Sequence, residues 1–150
     1  MIGKNPIILI LGTFPSKLSL ELQQYYGYPR NSFWRILYTL FNITFTSNYN
    51  NKKSVAMKNN IAIWDVCYSA IRKGSMDSAI KEEIPNKINE LIEINPLIST
   101  IAFNGQKAAK LFEKYFPKID NIDYITLLST SPANAKFSFE EKLINWSQIK

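Results

Sequence analysis

Four apolar runs of strand length, at 6–11, 61–65, 100–104 and 124–129, constrain this chain more than any other feature. Each is continuous rather than alternating and carries few charges, the pattern of a strand buried on both faces. Helix-length patterns fall between them, at about 17–26, 31–42, 51–59, 85–94 and 105–116, with a last one from about 138 onward. Strands interleaved with helices predict a parallel sheet covered on both sides, an α/β protein. A chain of 150 residues is long enough to do this as one domain, burying roughly two thirds of its unfolded surface. No internal repeat or linker divides it, and the asparagine-rich "FTSNYNNKK" at 45–53 reads as a loop too short to separate domains.

In such a sheet the ligand crevice lies beyond the carboxyl ends of the strands. The sequence there reads "LGTFPS" (11–16), "WDVCYS" (64–69), "FNGQ" (103–106) and "STSPANA" (129–135), polar, glycine or proline residues at every strand end. Each also has an ordinary structural reading. Gly12 and Gly105 suit tight turns, Pro15 and Pro132 stop strands, Asn104 caps the next helix, and Asp65 pairs with a lysine. None of the four has the spacing of a phosphate-binding glycine loop, which disfavours a nucleotide cofactor. A pocket for a flat polar ring fits better, with Phe14 as stacking face and Asn104 as paired donor and acceptor.

Composition removes much of the remaining chemistry. With no histidine and one cysteine, Cys67, the chain cannot build Ser-His-Asp or Cys-His catalysis, thiolate-histidine zinc sites or iron–sulfur clusters. The single cysteine also suits a cytoplasmic protein. No apolar run is long enough to span a bilayer, and the short one in "MIGKNPIILILG" reads as a strand, without a cleavage site after it. The net charge of +6 suits a polyanionic partner, although 15 of the 18 basic residues are lysines scattered among acids, as on an ordinary solvated surface.

One further segment, "YGYPRNSFWRIL" (26–37), places Pro29, Arg30 and Asn31 before a helical pattern, with Tyr26, Tyr28 and Phe33 crowded around them. Pro29 biases Tyr28 toward extended backbone, and Asn31 is a favoured N-cap. Capping accounts for a helix start here, but not for Arg30 or the aromatics.

Taken in order, "LGTFPS", "YYGYPRNSFWRIL", "WDVCYSAIRKGSMDSAI", "FNGQKAAKLF" and "STSPANA" resemble the hypoxanthine (deoxyinosine) branch of the uracil-DNA glycosylase superfamily, from about Ile8 to Trp146. The resemblance implies a three-layer α/β/α sandwich with a four-stranded parallel sheet. It implies hydrolysis of the bond between a deaminated base, hypoxanthine or alternatively uracil, and deoxyribose, by a monomer acting on damaged DNA without metal or organic cofactor. By the same resemblance Gly12, Thr13, Phe14 and Pro15 form the first pocket wall, Trp64 and Asp65 join the substrate site, Asn104 reads the base edge and Asn31 holds the attacking water. Arg30, Ser129, Ser131, Pro132 and Asn134 would hold DNA, the last loop compressing the flipped nucleotide. Tyr28 departs from the histidine frequent among relatives and Ser16 from glycine, and the final loop lacks the histidine of many uracil glycosylases. Leaving-group stabilisation then falls to amides and hydroxyls, including backbone N–H groups around Gly12 to Phe14.

"GSMDSAI" leaves alternatives open: Asp77 caps a short helix, or organises the site mouth with Ser75 and Ser78. Arg72, Lys73 and Lys107 suit phosphate contacts or plain solvated surface. Two competing readings are a magnesium-dependent phosphoesterase using Asp65 and Asp77 with Asn104 as a third oxygen ligand, and a damaged-DNA-binding module without catalysis.

Overall fold

A computed structural model describes residues 1–72 and 80–150. The elements run β1 (Ile8–Gly12), α1 (Lys17–Leu22), α2 (Phe33–Leu40), α3 (Tyr49–Lys58), β2 (Ile61–Asp65), β3 (Cys67–Arg72), β4 (Ile80–Pro85), α4 (Ile88–Glu93), β5 (Thr100–Asn104), α5 (Gln106–Tyr115), β6 (Asp123–Leu127) and α6 (Phe139–Trp146). A short 3₁₀ turn, Ser147–Ile149, follows α6.

β1, β2, β5 and β6 form a parallel sheet in the order β2-β1-β5-β6. The side chains of β1 alternate between two apolar layers. Leu9 and Leu11 pack with Ile88 and Leu91 of α4 and with Leu111 and Phe112 of α5. Ile10 packs with Phe33, Ile36 and Leu37 of α2, Ala56 of α3 and Trp146 of α6. Both faces are therefore covered, giving the three-layer α/β/α sandwich, and this is why the central strands carry no polar alternation. The outer edge of β2 is capped by Met1, which exchanges two backbone hydrogen bonds with Ile63, both of 2.8 Å, so part of that edge is not open to pairing.

The sequence expectations differ from the structure mainly at element ends. β1 begins at Ile8 and keeps Gly12 as its last residue. β6 spans Asp123–Leu127, so 128–129 already belong to the rim loop. α1 stops at Leu22 because Gln23 turns left-handed, with φ 52°. The supposed loop at 45–53 is in large part helix, since the Asn48 side chain accepts the Asn51 N–H and starts α3 at Tyr49. The antiparallel pair β3–β4 has no counterpart in the strand pattern of the sequence, and Pro85, expected to open the next helix, ends β4 instead, with α4 starting at Ile88. Asp77, Ser75, Ser78 and Lys73 lie outside the described residues.

Candidate active site

The rim at the carboxyl ends of the strands begins with Gly12, opposite Asp65 in the β1–β2 register. A Cβ on Gly12 would collide with the Asp65 carboxylate and come within 3.1 Å of the Tyr26 hydroxyl. Glycine here thus lets a buried carboxylate and a phenol close over the end of β1. Beyond it, the carbonyls of Gly12 and Thr13 accept the N–H groups of Val66 (2.9 Å) and Cys67 (3.0 Å). These bonds fix the path of the wall segment, whose Gly12 and Thr13 are buried and whose Phe14 and Pro15 are half-buried. Phe14 and Trp64 both pack against the layer formed by α4 and α5.

Asp65 is 8% exposed, and its backbone carbonyl accepts the Asn86 side-chain amide at 2.9 Å. Its charge is felt by Tyr25, whose phenol is pushed well above its usual pKa by burial first and then by the Asp65 and Tyr49 groups. Tyr25 is held in place through its backbone: its N–H donates to the Tyr49 hydroxyl (2.9 Å) and its carbonyl accepts the Trp34 indole N–H (2.9 Å). Neighbouring Tyr26 stacks on Phe33, centroids 3.8 Å apart at 18°. The crowded aromatics before α2 therefore pin that helix start against the rim.

α2 starts one residue later than a cap at Asn31 would give. Ser32 occupies the N-cap position without a side-chain cap bond. The Asn31 Oδ1 instead accepts the Phe33 N–H at 3.0 Å, and the Asn31 N–H donates to the Tyr28 carbonyl at 2.9 Å. Asn31 still satisfies a first-turn donor, now as an Asx turn. Its Oδ1 keeps a second lone pair, and its amide N–H₂ has no protein partner among the described residues. Tyr28, Pro29 and Arg30 are exposed beside it.

Thr130, 1% exposed, ties three rim segments together. Its carbonyl accepts both the N–H and the hydroxyl of Ser32, each at 3.1 Å. Its own hydroxyl accepts from Asn104 Nδ2 and its N–H donates to Asn104 Oδ1, each at 2.9 Å. The Asn104 amide is therefore committed to Thr130, with one N–H and one lone pair left over. Thr130 was missed in the sequence although its neighbours Ser129 and Ser131 were chosen. Nothing in "STSPANA" says which hydroxyl turns inward.

The rest of the loop is held by its own bonds. Ser131 N–H donates to Ser129 Oγ (3.3 Å), Ala133 N–H to Ser131 Oγ (3.2 Å), Asn134 N–H to the Ser131 carbonyl (3.0 Å) and Asn134 Nδ2 to the Ser129 carbonyl (3.1 Å). Three loop N–H groups are thereby used internally, so an anion held here would be met by the hydroxyl hydrogens of Ser129 and Ser131. Pro132 is half-buried at the turn. On the β5 side, Gly105 has φ 102°, and a Cβ there would stand 2.9 Å from the Ser129 Cβ. Both facts require glycine.

The structure thus brings Gly12, Asp65, Asn31, Asn104 and the 129–134 loop to one rim, and adds Tyr26, Ser32 and Thr130. Of the residues in the phosphoesterase reading, Asp77 lies outside the described residues and Asn104 is engaged by Thr130. Among the described residues no three histidine, cysteine, aspartate or glutamate side chains cluster as a metal site.

Comparison with known proteins agrees with the fold. The family model of the uracil DNA glycosylase superfamily matches residues 2–149. A Methanosarcina barkeri protein named hypoxanthine DNA glycosylase is 35% identical over 151 aligned residues, covering 99% of this chain and 92% of that protein. A Methanosarcina acetivorans protein of the same name is 39% identical over 141, covering 92% and 87%. A solution NMR structure from Methanosarcina acetivorans, described as a candidate uracil DNA glycosylase, superposes with a TM-score of 0.80 at 33% identity. It covers 99% of this chain and 93% of its own.

Proposed function

Since the chain belongs to the uracil DNA glycosylase superfamily, we propose that it hydrolyses the N-glycosidic bond of a deaminated base in DNA, hypoxanthine first and uracil second, leaving an abasic site. It would do so as a single-domain cytoplasmic monomer without a metal. The relatives named hypoxanthine DNA glycosylase, matched over most of their length, support the choice of base. The observation that carries the chemistry is the Ser32–Thr130–Asn104 clasp, which sets Asn31, one residue before it, at the same rim as the Gly12 wall.

The bond breaks through an oxocarbenium-like sugar while negative charge moves onto the departing base. A neutral amide is a weak base, but a cation-like transition state needs the water placed rather than deprotonated early. The Phe33 N–H holds the Asn31 side chain by Oδ1, and the remaining lone pair and amide hydrogens orient the water. Wall N–H groups around Gly12 to Phe14, in a segment whose path is fixed by the bonds that the Gly12 and Thr13 carbonyls make to Val66 and Cys67, would stabilise the base oxygen. One such donor is typically worth about 10²–10³ in rate. Phe14 would face the ring. Trp64 and Asp65 complete the substrate side, with Asp65 as acceptor for a ring N–H. Asn104 contributes its one uncommitted N–H and lone pair, and above all holds Thr130. Arg30, Ser129, Ser131, Pro132 and Asn134 contact the flipped strand.

A panel of oligonucleotides, each with one modified base, tests this in the presence of chelator. Abasic sites should appear at hypoxanthine. If no deaminated base yields them, or phosphodiesters are cut only with magnesium, the reading fails.

A further inference from the structure

Ser32 stands at the N-cap of α2, where a serine hydroxyl ordinarily accepts a first-turn N–H, yet it makes no such bond. Its backbone is already helical, φ −79° and ψ −3°, rather than extended as a capping residue's is. The first-turn donor is taken instead by Asn31, whose Oδ1 accepts the Phe33 N–H at 3.0 Å. The Ser32 hydroxyl is thereby released for another task. It donates at 3.1 Å to the Thr130 carbonyl, 98 positions along the chain, and the same carbonyl accepts the Ser32 N–H at 3.1 Å.

Two donors from one residue on one acceptor do more than one. A single N–H···O bond leaves the donor residue free to swing about the bond axis, and a second bond from its own side chain removes that freedom. What is fixed here is the Ser32–Phe33 peptide, whose N–H holds the Asn31 side chain. The neighbours on either side are held separately. The Asn31 N–H donates to the Tyr28 carbonyl at 2.9 Å, and the buried Phe33 ring stacks on Tyr26 and meets Trp146 edge-on. The acceptor is also held, since Thr130 is buried with its N–H and hydroxyl both bonded to the Asn104 amide.

We propose that Ser32 is a positioning residue for base release: its hydroxyl, through the Thr130 carbonyl, fixes the Ser32–Phe33 peptide and with it the Asn31 amide that orients the water. The inference rests on the glycosylase reading, with Asn31 as the water holder. Ser32 acts on neither water nor base directly. It makes water placement depend on the seating of the 129–134 loop, because Thr130 lies between Ser129 and Ser131, whose hydroxyls are offered to the DNA backbone.

The test is a double-mutant cycle with Asn31 under single-turnover conditions on a deoxyinosine duplex in chelator. Each variant is also melted and titrated with a duplex carrying a non-cleavable tetrahydrofuran abasic analogue. Ser32→Ala, which keeps the backbone bond to Thr130, should release base about tenfold more slowly with affinity for the analogue duplex within about twofold of wild type, since a slightly misplaced reactant costs rate rather than binding. Ser32→Thr, which keeps the hydroxyl, should restore the rate. Ser32→Cys, close in size but with only a weak S–H donor, should be slow as well, and covers the case in which the alanine variant melts early. In the Asn31→Ala background Ser32→Ala should slow release no further, the non-additivity expected when one residue acts through the other. A folded Ser32→Ala or Ser32→Cys with the wild-type rate overturns the proposal. A full further loss in the Asn31→Ala background also overturns it, by moving the effect to Asn104 or the loop, and leaves the glycosylase reading standing. If Asn31→Ala releases base at the wild-type rate, the water-holding role falls and the proposal with it; if the wild-type protein releases no base, the glycosylase reading itself falls.

Discussion

Asn31 accepts the Phe33 N–H with its side-chain oxygen, and the proposed function gives its remaining amide hydrogens and lone pair a second task, orienting water. The two roles separate on substitution. Asn31→Ala should cost about 1 kcal/mol of stability, as lost caps do. It should also lower single-turnover base release by about 10²-fold or more with lesion binding retained, since a misplaced reactant costs that much. Asn31→Asp, which still accepts from Phe33, should restore stability while cleavage stays altered. Near-normal release by folded Asn31→Ala protein would reduce Asn31 to a cap. Thr130 makes a comparable case. Thr130→Val strands the buried Asn104 amide, for a loss of about 1–3 kcal/mol, whereas Thr130→Ser keeps the bond, and chemical denaturation of the pair measures the difference. In the sequence Asn104 stands out as a polar residue at a strand end, whereas Asn31 reads as a helix cap until the family resemblance gives it a water. Thr130 does not stand out, because an inward hydroxyl and an outward one look alike until the loop is folded.

At the scale of elements, the strands of the main sheet were legible because burial on both faces writes itself as an unbroken apolar run. The β3–β4 hairpin was not. Its second strand reads "IKEEIP", its first leaves Tyr68 and Ile71 exposed, and its register shifts twice between Cys67 and Ile71. No period survives in the sequence to report it. Element ends were blurred for the same reason: left-handed Gln23 ends α1, and no simple rule marks a glutamine for that. The β5–α5 junction is sharper. Gly105→Ala meets both the φ of 102° and the Ser129 Cβ, so it should destabilise by about 1–3 kcal/mol. It should also weaken lesion binding by pushing the 129–134 loop, read by melting and by titration with abasic-analogue duplex. An unchanged melting temperature would show that the junction relaxes.

The order β2-β1-β5-β6 is a property of the whole molecule, set by how the two apolar layers close. Nothing in the four apolar runs ranks it against other orders of the same strands. It matters because it puts β1 between β2 and β5, with Gly12, Asp65 and Asn104 side by side at one rim and the β6 loop completing it. The surplus of six positive charges suits a DNA substrate. The central claim is metal-independent hydrolysis of a glycosidic bond. Chromatographic detection of the free base from a deoxyinosine duplex, under single-turnover conditions in excess chelator, tests it most directly. Stoichiometric hypoxanthine with an intact, alkali-labile strand is the predicted result; a strand cut without base release, or no base released by protein that binds the duplex, would contradict it.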